Sequence, residues 1–477
     1  MYAILNGDII MTNENVGKEK QYGMSRRELL GSAVAAGAFT IIPSYVLGMN
    51  GKKPPSEKLN IATIGVGGMG GSNTRRCADA GENIVALCDV DENLPGTVKV
   101  FNEYPDAKKY KDFRKMLEEM KNIDAVIVAT PDHTHTVAAM MAMKMGKHVY
   151  VQKPLTRTVY EARKLTETAR QYKVASQMGN QGHSGEGIRL MCEWIWDGAI
   201  GPVREVHAWT NRPVWAQGID RPTDTPPVPE GFDWDLWLGP APERPYNPAY
   251  HPFAWRAWVD FGGGALADMA CHILDPAFWA LKLKYPISVE ACTSTRMSGE
   301  GWGKVGVRET YPQASIVRYK FPARGKMPEV KIHWYDGGLM PARPEELEPG
   351  RMMGDDDGGV IFVGDKGKLM CGCYGMNPRL IPESKMEAYK RPAKSLPRIK
   401  DGIDGHEKNW IEACKGGIAA SSNFEYSGPF TETVVMGNLA MLNPYKVLEW
   451  DGANMKFTND DTANEFVNPP YRAGWTL

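Results

Sequence analysis

From residue 59 onward, short continuous apolar runs alternate with longer stretches whose apolar residues recur at helical spacing. Residues 59–64 and 84–88 are two such runs, with a helical stretch to Ala80 between them. Residues 98–104 and 113–120 are helical by spacing and 123–129 reads as a strand; 134–144 is a helix stopped by Gly146, and 148–152 is a further strand. Strands that are apolar at every residue are covered on both faces. This pattern predicts an α/β fold with a doubly wound parallel sheet, whose ligands lie at the carboxyl ends of its strands. Thr130, Pro131, Asp132, His133 and Gln152-Lys153-Pro154 stand at such ends.

The pattern changes in the second half. A helix at 159–172 and a strand at 174–177 lead into the polar loop Gly179-Asn180-Gln181-Gly182-His183, and a helix at 187–196 follows. Strands at 203–210, 287–295, 315–321, 329–335 and 359–363 suit a large open, mainly antiparallel sheet in an α+β domain. A turn-rich insertion at 211–250 interrupts them, and helices at 406–415 and 433–442 come last.

Composition adds exclusions. The 43% hydrophobic and 24% charged content over 477 residues describes a soluble globular protein with room for two domains. Lys plus Arg (56) balances Asp plus Glu (57), so bulk charge supports neither a nucleic-acid nor an anionic-membrane partner. The eight cysteines are scattered and Cys371 and Cys373 lack a ligand spacing, so no metal site or disulfide framework is expected. Near the start, Ser25-Arg26-Arg27-Glu28-Leu29-Leu30 precedes an apolar run at 31–42 that is too short to span a bilayer comfortably. The segment resembles a twin-arginine export signal, which predicts a periplasmic mature protein with no membrane span. Read instead as a surface helix, it leaves the protein cytoplasmic.

Two stretches carry chemistry. Gly65-Val66-Gly67-Gly68-Met69-Gly70 lies between the first strand and a helix. Its G-x-G-x-x-G spacing lets the backbone turn tightly, approach a pyrophosphate and present a helix N-terminus to it. Asp89 ends the second strand, about twenty positions on, where a carboxylate holds the ribose hydroxyls of NAD and repels the extra phosphate of NADP. Residues 58–180 are therefore read as an NAD-binding Rossmann domain, 181–477 as the substrate-binding α+β domain and 1–50 as the leader. In the stretch from Gly262 to Asp275, Asp268 and His272 share a helical face, and Asp275 lies three residues beyond. A carboxylate is thus expected on either side of an imidazole, which would fix its tautomer and raise its basicity for taking an alcohol proton. Of the nine tryptophans from Trp194 to Trp279, most are expected to fill core, with Trp215 and Trp255 as sugar contacts. The polar loop adds His183 and the helix end adds Asp275 to the expected substrate contacts.

Ala129-Thr130-Pro131-Asp132-His133-Thr134-His135, Gly146-Lys147-His148-Val149 and Lys153-Pro154-Leu155 resemble the glucose-fructose oxidoreductase, inositol dehydrogenase and rhizopine-catabolism (Gfo/Idh/MocA) family. The resemblance runs from about residue 59 to the C-terminus. It implies a Rossmann domain followed by a domain with a large open sheet that often associates into homo-oligomers. It also implies hydride transfer between NAD(P) and a sugar, polyol or related alcohol. Thr130, Pro131, His133, His135, Gln152 and Lys153 would join Gly65, Gly67, Gly68, Met69, Gly70 and Asp89 around the cofactor. Lys153 and His272 would be catalytic, with Asp268 as partner. The family's usual Glu-Lys-Pro is Gln152-Lys153-Pro154 here, a departure from the pattern. Three functions follow: a dehydrogenase of a carbohydrate hydroxyl, a glycosidase or isomerising enzyme that oxidises transiently and keeps its NAD, and a non-catalytic sugar sensor. Retention of Lys153 and His272 argues against the sensor.

Overall fold

The structure is a computed structural model that describes residues 57–297 and 308–477, together with the backbone of four short strands outside them. The twin-arginine segment lies outside the described residues. The chain divides into two compact units, Met1–Lys58 and Leu59–Leu477. In the first, Tyr2–Leu5, Asp8–Met11 and Gly23–Met24 pair as an antiparallel sheet.

The second unit holds two larger sheets. Strands β1 (Asn60–Ile64), β2 (Asn83–Cys88), β3 (Lys108–Tyr110), β4 (Ala125–Val128), β5 (His148–Gln152) and β6 (Ser176–Gly179) are all parallel, in the order β3-β2-β1-β4-β5-β6. Strand order reverses at β1, which is where the ligand crevice of a doubly wound sheet opens. Every residue of β4 is fully buried, which is why that run reads as apolar throughout. Each such valine or isoleucine stabilises the fold by about 1.5–3 kcal/mol. Helices α1 (Met69–Asp79), α2 (Asp132–Lys144) and α3 (Val159–Tyr172) connect these strands, and Thr158 and Glu161 form a capping box at the start of α3. Helix α2 begins two residues before the position read from its apolar spacing. That puts Asp132 in its first turn, where the helix dipole favours negative charge.

The second sheet contains β7 (Val203–Thr210), β8 (Ser288–Thr293), β9 (Ser315–Phe321), β10 (Val330–Tyr335), β11 (Gly358–Gly364), β12 (Gly367–Gly372), β13 (Arg379–Ile381), β14 (Leu448–Asp451) and β15 (Lys456–Phe457). Their order is β13-β12-β11-β7-β10-β9-β8-β14-β15, with only the β7/β10 pair parallel. Alternate residues of β9 are buried, Ser315, Val317, Tyr319 and Phe321, because helices cover one face. Helix α4 (Gly264–Ile273) packs on β7 and β11, α5 (His406–Cys414) on α1, and α6 (Phe424–Leu442) on β8 and β9. The last helix starts nine residues before the expected 433. Pro429 reads as a breaker, but burial of Phe424, Ser427, Phe430 and Thr431 carries the helix through it at the loss of one backbone bond.

Candidate active site

The glycine loop is built by close approach. Gly65 has φ +81, and a Cβ on it would lie 2.7 Å from the carbonyl oxygen of Ala129. A Cβ on Gly70 would lie 1.9 Å from the carbonyl oxygen of Gly65, so only glycine lets α1 sit this tightly on β1. Asp89 Oδ2 accepts the N–H of Val66 at 2.8 Å and of Gly67 at 3.1 Å, while Oδ1 accepts that of Asp91 at 3.1 Å. Burial raises its pKa against these bonds. Asp89 therefore braces the loop from the cleft wall. Gly65, Gly67, Gly68, Met69 and Asp89 line a cavity of about 500 Å³, and Thr130, Pro131, Gln152 and Lys153 continue its wall. The space beside Gly68 is open for 4 Å. Loop, cavity and carboxylate suit a dinucleotide with its pyrophosphate at the N-terminus of α1 and its ribose at Asp89.

His133 and His135, expected at the cofactor, point elsewhere. His133 lies with its ring nitrogens 3.2 and 2.8 Å from the carbonyl oxygens of Phe261 and Trp237, and it is 1% exposed. It ties α2 to the aromatic cluster of Phe232, Trp237 and Tyr250 from the insertion and Trp258 and Phe261 just after it. His135 bridges the carbonyl oxygens of Pro154 (2.9 Å) and Thr130 (2.8 Å), joining the two loops that carry the cleft residues. Burial pushes both imidazoles down, to about 3 and about 4. A strand-end position brings a residue near the cleft, and carbonyls left over by the loops turned these two inward.

At the far end of the cavity, Lys153 Nζ donates to Asp268 Oδ1 at 2.9 Å and to its backbone oxygen at 2.8 Å. Arg256 Nε lies 3.3 Å from Oδ1 and Arg212 Nε 3.9 Å from Oδ2 of the same carboxylate. Burial opposes the charge on Asp268, but Lys153 and Arg256 beside it hold its pKa down to about 2. Asp132 lines the same cavity, and there burial wins, raising its carboxyl to about 8 despite Arg256 and Lys153. Trp255 lines the cavity as expected. Trp215 does not; it packs edge-on against the cavity residue Phe253 at 5.9 Å and donates its indole N–H to Gln217. Arg212 and Arg256 belong to no recognisable motif. The available signals were weak ones: Arg256 follows Trp255, and Arg212 stands two residues past a strand end.

The expected carboxylates on both sides of His272 are not there. Asp268 is engaged by Lys153, and Asp275 accepts instead from His183 Nδ1, 3.0 Å from both its oxygens, from Asn180 at 3.1 Å and from Tyr426. On a helix that ends at Ile273, Asp275 turns to the other side. His183 and Asp275 are each 1% exposed and, like His272, do not line the cavity; the bonds between them give them a structural role instead of the expected substrate contact. His272 is 4% exposed and its Nδ1 makes no hydrogen bond among the described residues. Burial, with Lys153 nearby, drives its pKa well down. Tyr374, held at φ +58, lies with its ring 4.5 Å from that of His272, a neighbour with no signal in sequence.

Gln152 has its own account. Its Nε2 donates to Asn73 Oδ1 at 2.8 Å, and Asn73 Nδ2 donates to Glu407 Oε1 at 2.6 Å. Glu407 is fully buried on α5 and meets Arg76 at 3.4 Å. A glutamate at 152 would offer Asn73 a second acceptor and no donor. The carboxylate at 407 thus explains the amide at 152.

The family description "Oxidoreductase family, NAD-binding Rossmann fold" matches residues 59–180, and its "C-terminal alpha/beta domain" matches 203–306. Residues 59–180 and 203–306 thus match the two domains described for the Gfo/Idh/MocA family. An alpha-N-acetylgalactosaminidase of Bacteroides fragilis is 36% identical over 132 residues, covering 26% of this chain and 31% of that protein. An inositol 2-dehydrogenase of Azotobacter vinelandii is 31% identical over 153 residues, covering 31% and 44%. The chain thus spans less than half the length of these curated relatives. The fold is shared with the WlbA dehydrogenase of Bordetella pertussis, solved with NADH and UDP-GlcNAcA, at a TM-score of 0.55 and 17% identity over 83% of this chain and 99% of that one.

Proposed function

We propose that this chain is a Gfo/Idh/MocA member that oxidises a hydroxyl of a sugar, polyol or glycoside, with NAD held across the glycine loop. One observation carries the reading: the Lys153 ammonium stands on the wall of the glycine-loop cavity, 2.9 Å from Asp268 on the helix that bears His272. Bound NAD would supply the hydride acceptor. The chain's own residues manage the proton. Asp268 holds two of the three N–H groups of Lys153, so the remaining N–H stabilises the substrate oxygen as negative charge develops there. His272, kept neutral by burial and neighbouring cations, is the base that takes the hydroxyl proton. Incubation with panels of free sugars and glycosides, following reduced-nicotinamide absorbance and aglycone release, tests this. Net NADH supports it; neither signal on any substrate overturns it.

Similarity to the Bacteroides fragilis N-acetylgalactosaminidase favours a second reading, redox-assisted cleavage of a glycoside with hydride returned to the substrate. Aglycone release without net NADH selects it. Ser25-Arg26-Arg27 further supports export in the folded state. A reporter fused behind residues 1–50 should cross the membrane, and Arg26→Lys with Arg27→Lys should hold it back.

A further inference from the structure

Lys153, Arg256 and Arg212 converge on Asp268 at 2.9, 3.3 and 3.9 Å. One further carboxylate meets the cluster, Asp357, 3.1 Å from Arg212 Nη1 and with its side chain 45% exposed. Asp132 lines the same cavity as Lys153 and Arg256, but burial keeps it largely protonated at neutral pH. Three cations against two carboxylates leave one positive charge at the end of the cleft.

The donors are as unbalanced as the charge. Lys153 directs two of its three N–H groups at Asp268. Arg256 donates through Nε to Asp268 and through Nη1 to the Phe253 carbonyl at 3.2 Å. Arg212 donates through Nη1 to Asn211 and Asp357. Nη2 of neither arginine makes a hydrogen bond among the described residues. The Arg256 guanidinium is also pinned against the rings of Trp255 and Phe253, 4.3 and 4.7 Å from their centroids, so its fork cannot swing freely into solvent. Partly buried, ring-held guanidinium donors suit a planar oxyanion, which they bind with charge-assisted and bidentate bonds.

We infer that the substrate is an acidic sugar carrying one negative charge, a uronic acid or sulfate ester, whose anionic group is bound by Arg212 and Arg256 while its reacting hydroxyl meets Lys153. The inference rests on the dehydrogenase reading for the hydroxyl, and its test separates the two. Binding is read as tryptophan fluorescence with NAD present, and turnover as NADH formed. The probes are glucuronate, galacturonate, their methyl esters, glucose 6-sulfate, galactose 6-sulfate and the neutral parent sugars. At least one acid should bind roughly 30-fold or more tightly than its methyl ester or neutral parent, the usual effect of leaving a buried charge unpaired. Arg212→Gln should bring that ratio toward one; the comparison of acid with ester needs no variant to fold. Preference for uronate over sulfate, or the reverse, assigns the anion. Acid binding without NADH supports the inference and overturns the dehydrogenase reading. Neutral sugars bound and oxidised as well as the acids overturn the inference and leave that reading standing, and failure of every acid to bind overturns the inference.

Discussion

His183 and His272 are both buried, and they differ in what decides a histidine's task. His183 has its Nδ1 3.0 Å from both oxygens of Asp275, and its ring stacks on Trp279 at 4.5 Å with planes 20° apart. Tyr426 and Asn180 donate to the same carboxylate, and the group ties the loop after β6 to the start of the helix Asp275–Ala280. His272 Nδ1 has no hydrogen-bond partner among the described residues, and the charged and titratable groups near it are Lys153, Asp268, His406 and Arg212. A carboxylate that already accepts from His183, Asn180 and Tyr426 has little left to offer a substrate. An unpaired polar atom in a buried site needs an explanation, and a reacting group is one. Here the pair that looks like half of a catalytic triad is a brace, and the missing bond marks the site.

Removing the base breaks this contrast most directly. His272→Ala should lower kcat by about 10²–10⁴-fold, the usual share of a general base, with little change in thermal midpoint. Asp275→Asn should do the reverse. Leaving buried donors short of their acceptor costs about 1–3 kcal/mol, so its thermal midpoint should fall clearly while the folded fraction keeps its kcat. Roles would be inverted if Asp275→Asn abolished turnover at an unchanged midpoint and His272→Ala left turnover intact.

The contrast also shows how much was legible from residue order. The glycine loop, Asp89 and Lys153 were readable because a phosphate cradle, a ribose acceptor and a strand-end lysine occur at short, regular offsets along one βαβ chain. The parallel sheet was readable because full burial leaves uninterrupted apolar runs, as in β4. Helical spacing placed Asp268 and His272 together but said nothing about which neighbours would claim them first. Lys153 claimed Asp268 from 115 residues away, and His183 claimed Asp275 from 92. Arg212, Arg256 and Tyr374 reach the site from a strand end, the turn Ala254–Ala257 and a loop after β12, so only the folded sheet brings them together. No local pattern encodes a meeting of that kind.

A smaller effect is expected where a braced network touches the site. Gln152 belongs with His183 as a fully partnered group, although Lys153 follows it. Gln152→Glu would set two carboxylates against one Asn73 amide and leave its oxygen without a donor, a cost of about 1–3 kcal/mol. Lower thermal midpoint and weaker NAD binding should result. Adding Glu407→Gln lets the asparagine turn over, donating to residue 152 and accepting from 407, so the double variant should recover much of the loss. A non-recovering double variant would mean that the chain from Gln152 to Glu407 does not act as a unit.

The least change is expected in the pH profile, where the reason for its flatness separates the site from the brace. A base whose folded pKa is depressed is neutral well below the ordinary value for histidine, and the stability it contributes is full above that ordinary value and is lost progressively as pH falls from there through the lowered one. No acid limb should therefore appear in kcat/KM between about pH 7 and 5.5, where an unperturbed imidazole would titrate. The alkaline side differs in sign. Asp132 has its folded pKa raised to about 8, so the stability tied to its protonated form is complete below its unfolded pKa and is lost as pH rises through 8. Above that pH a second charged carboxylate also faces Lys153 and Arg256, cancelling the positive charge left over beside Asp268. The wild type should lose thermal midpoint as pH rises toward 8 and level off above it, kcat/KM should fall through the same pH, and Asp132→Asn should lose less of each. Should Asp132→Asn instead keep the full alkaline fall, Asp132 would not be the group that titrates, and the positive charge left over beside Asp268 would not depend on it.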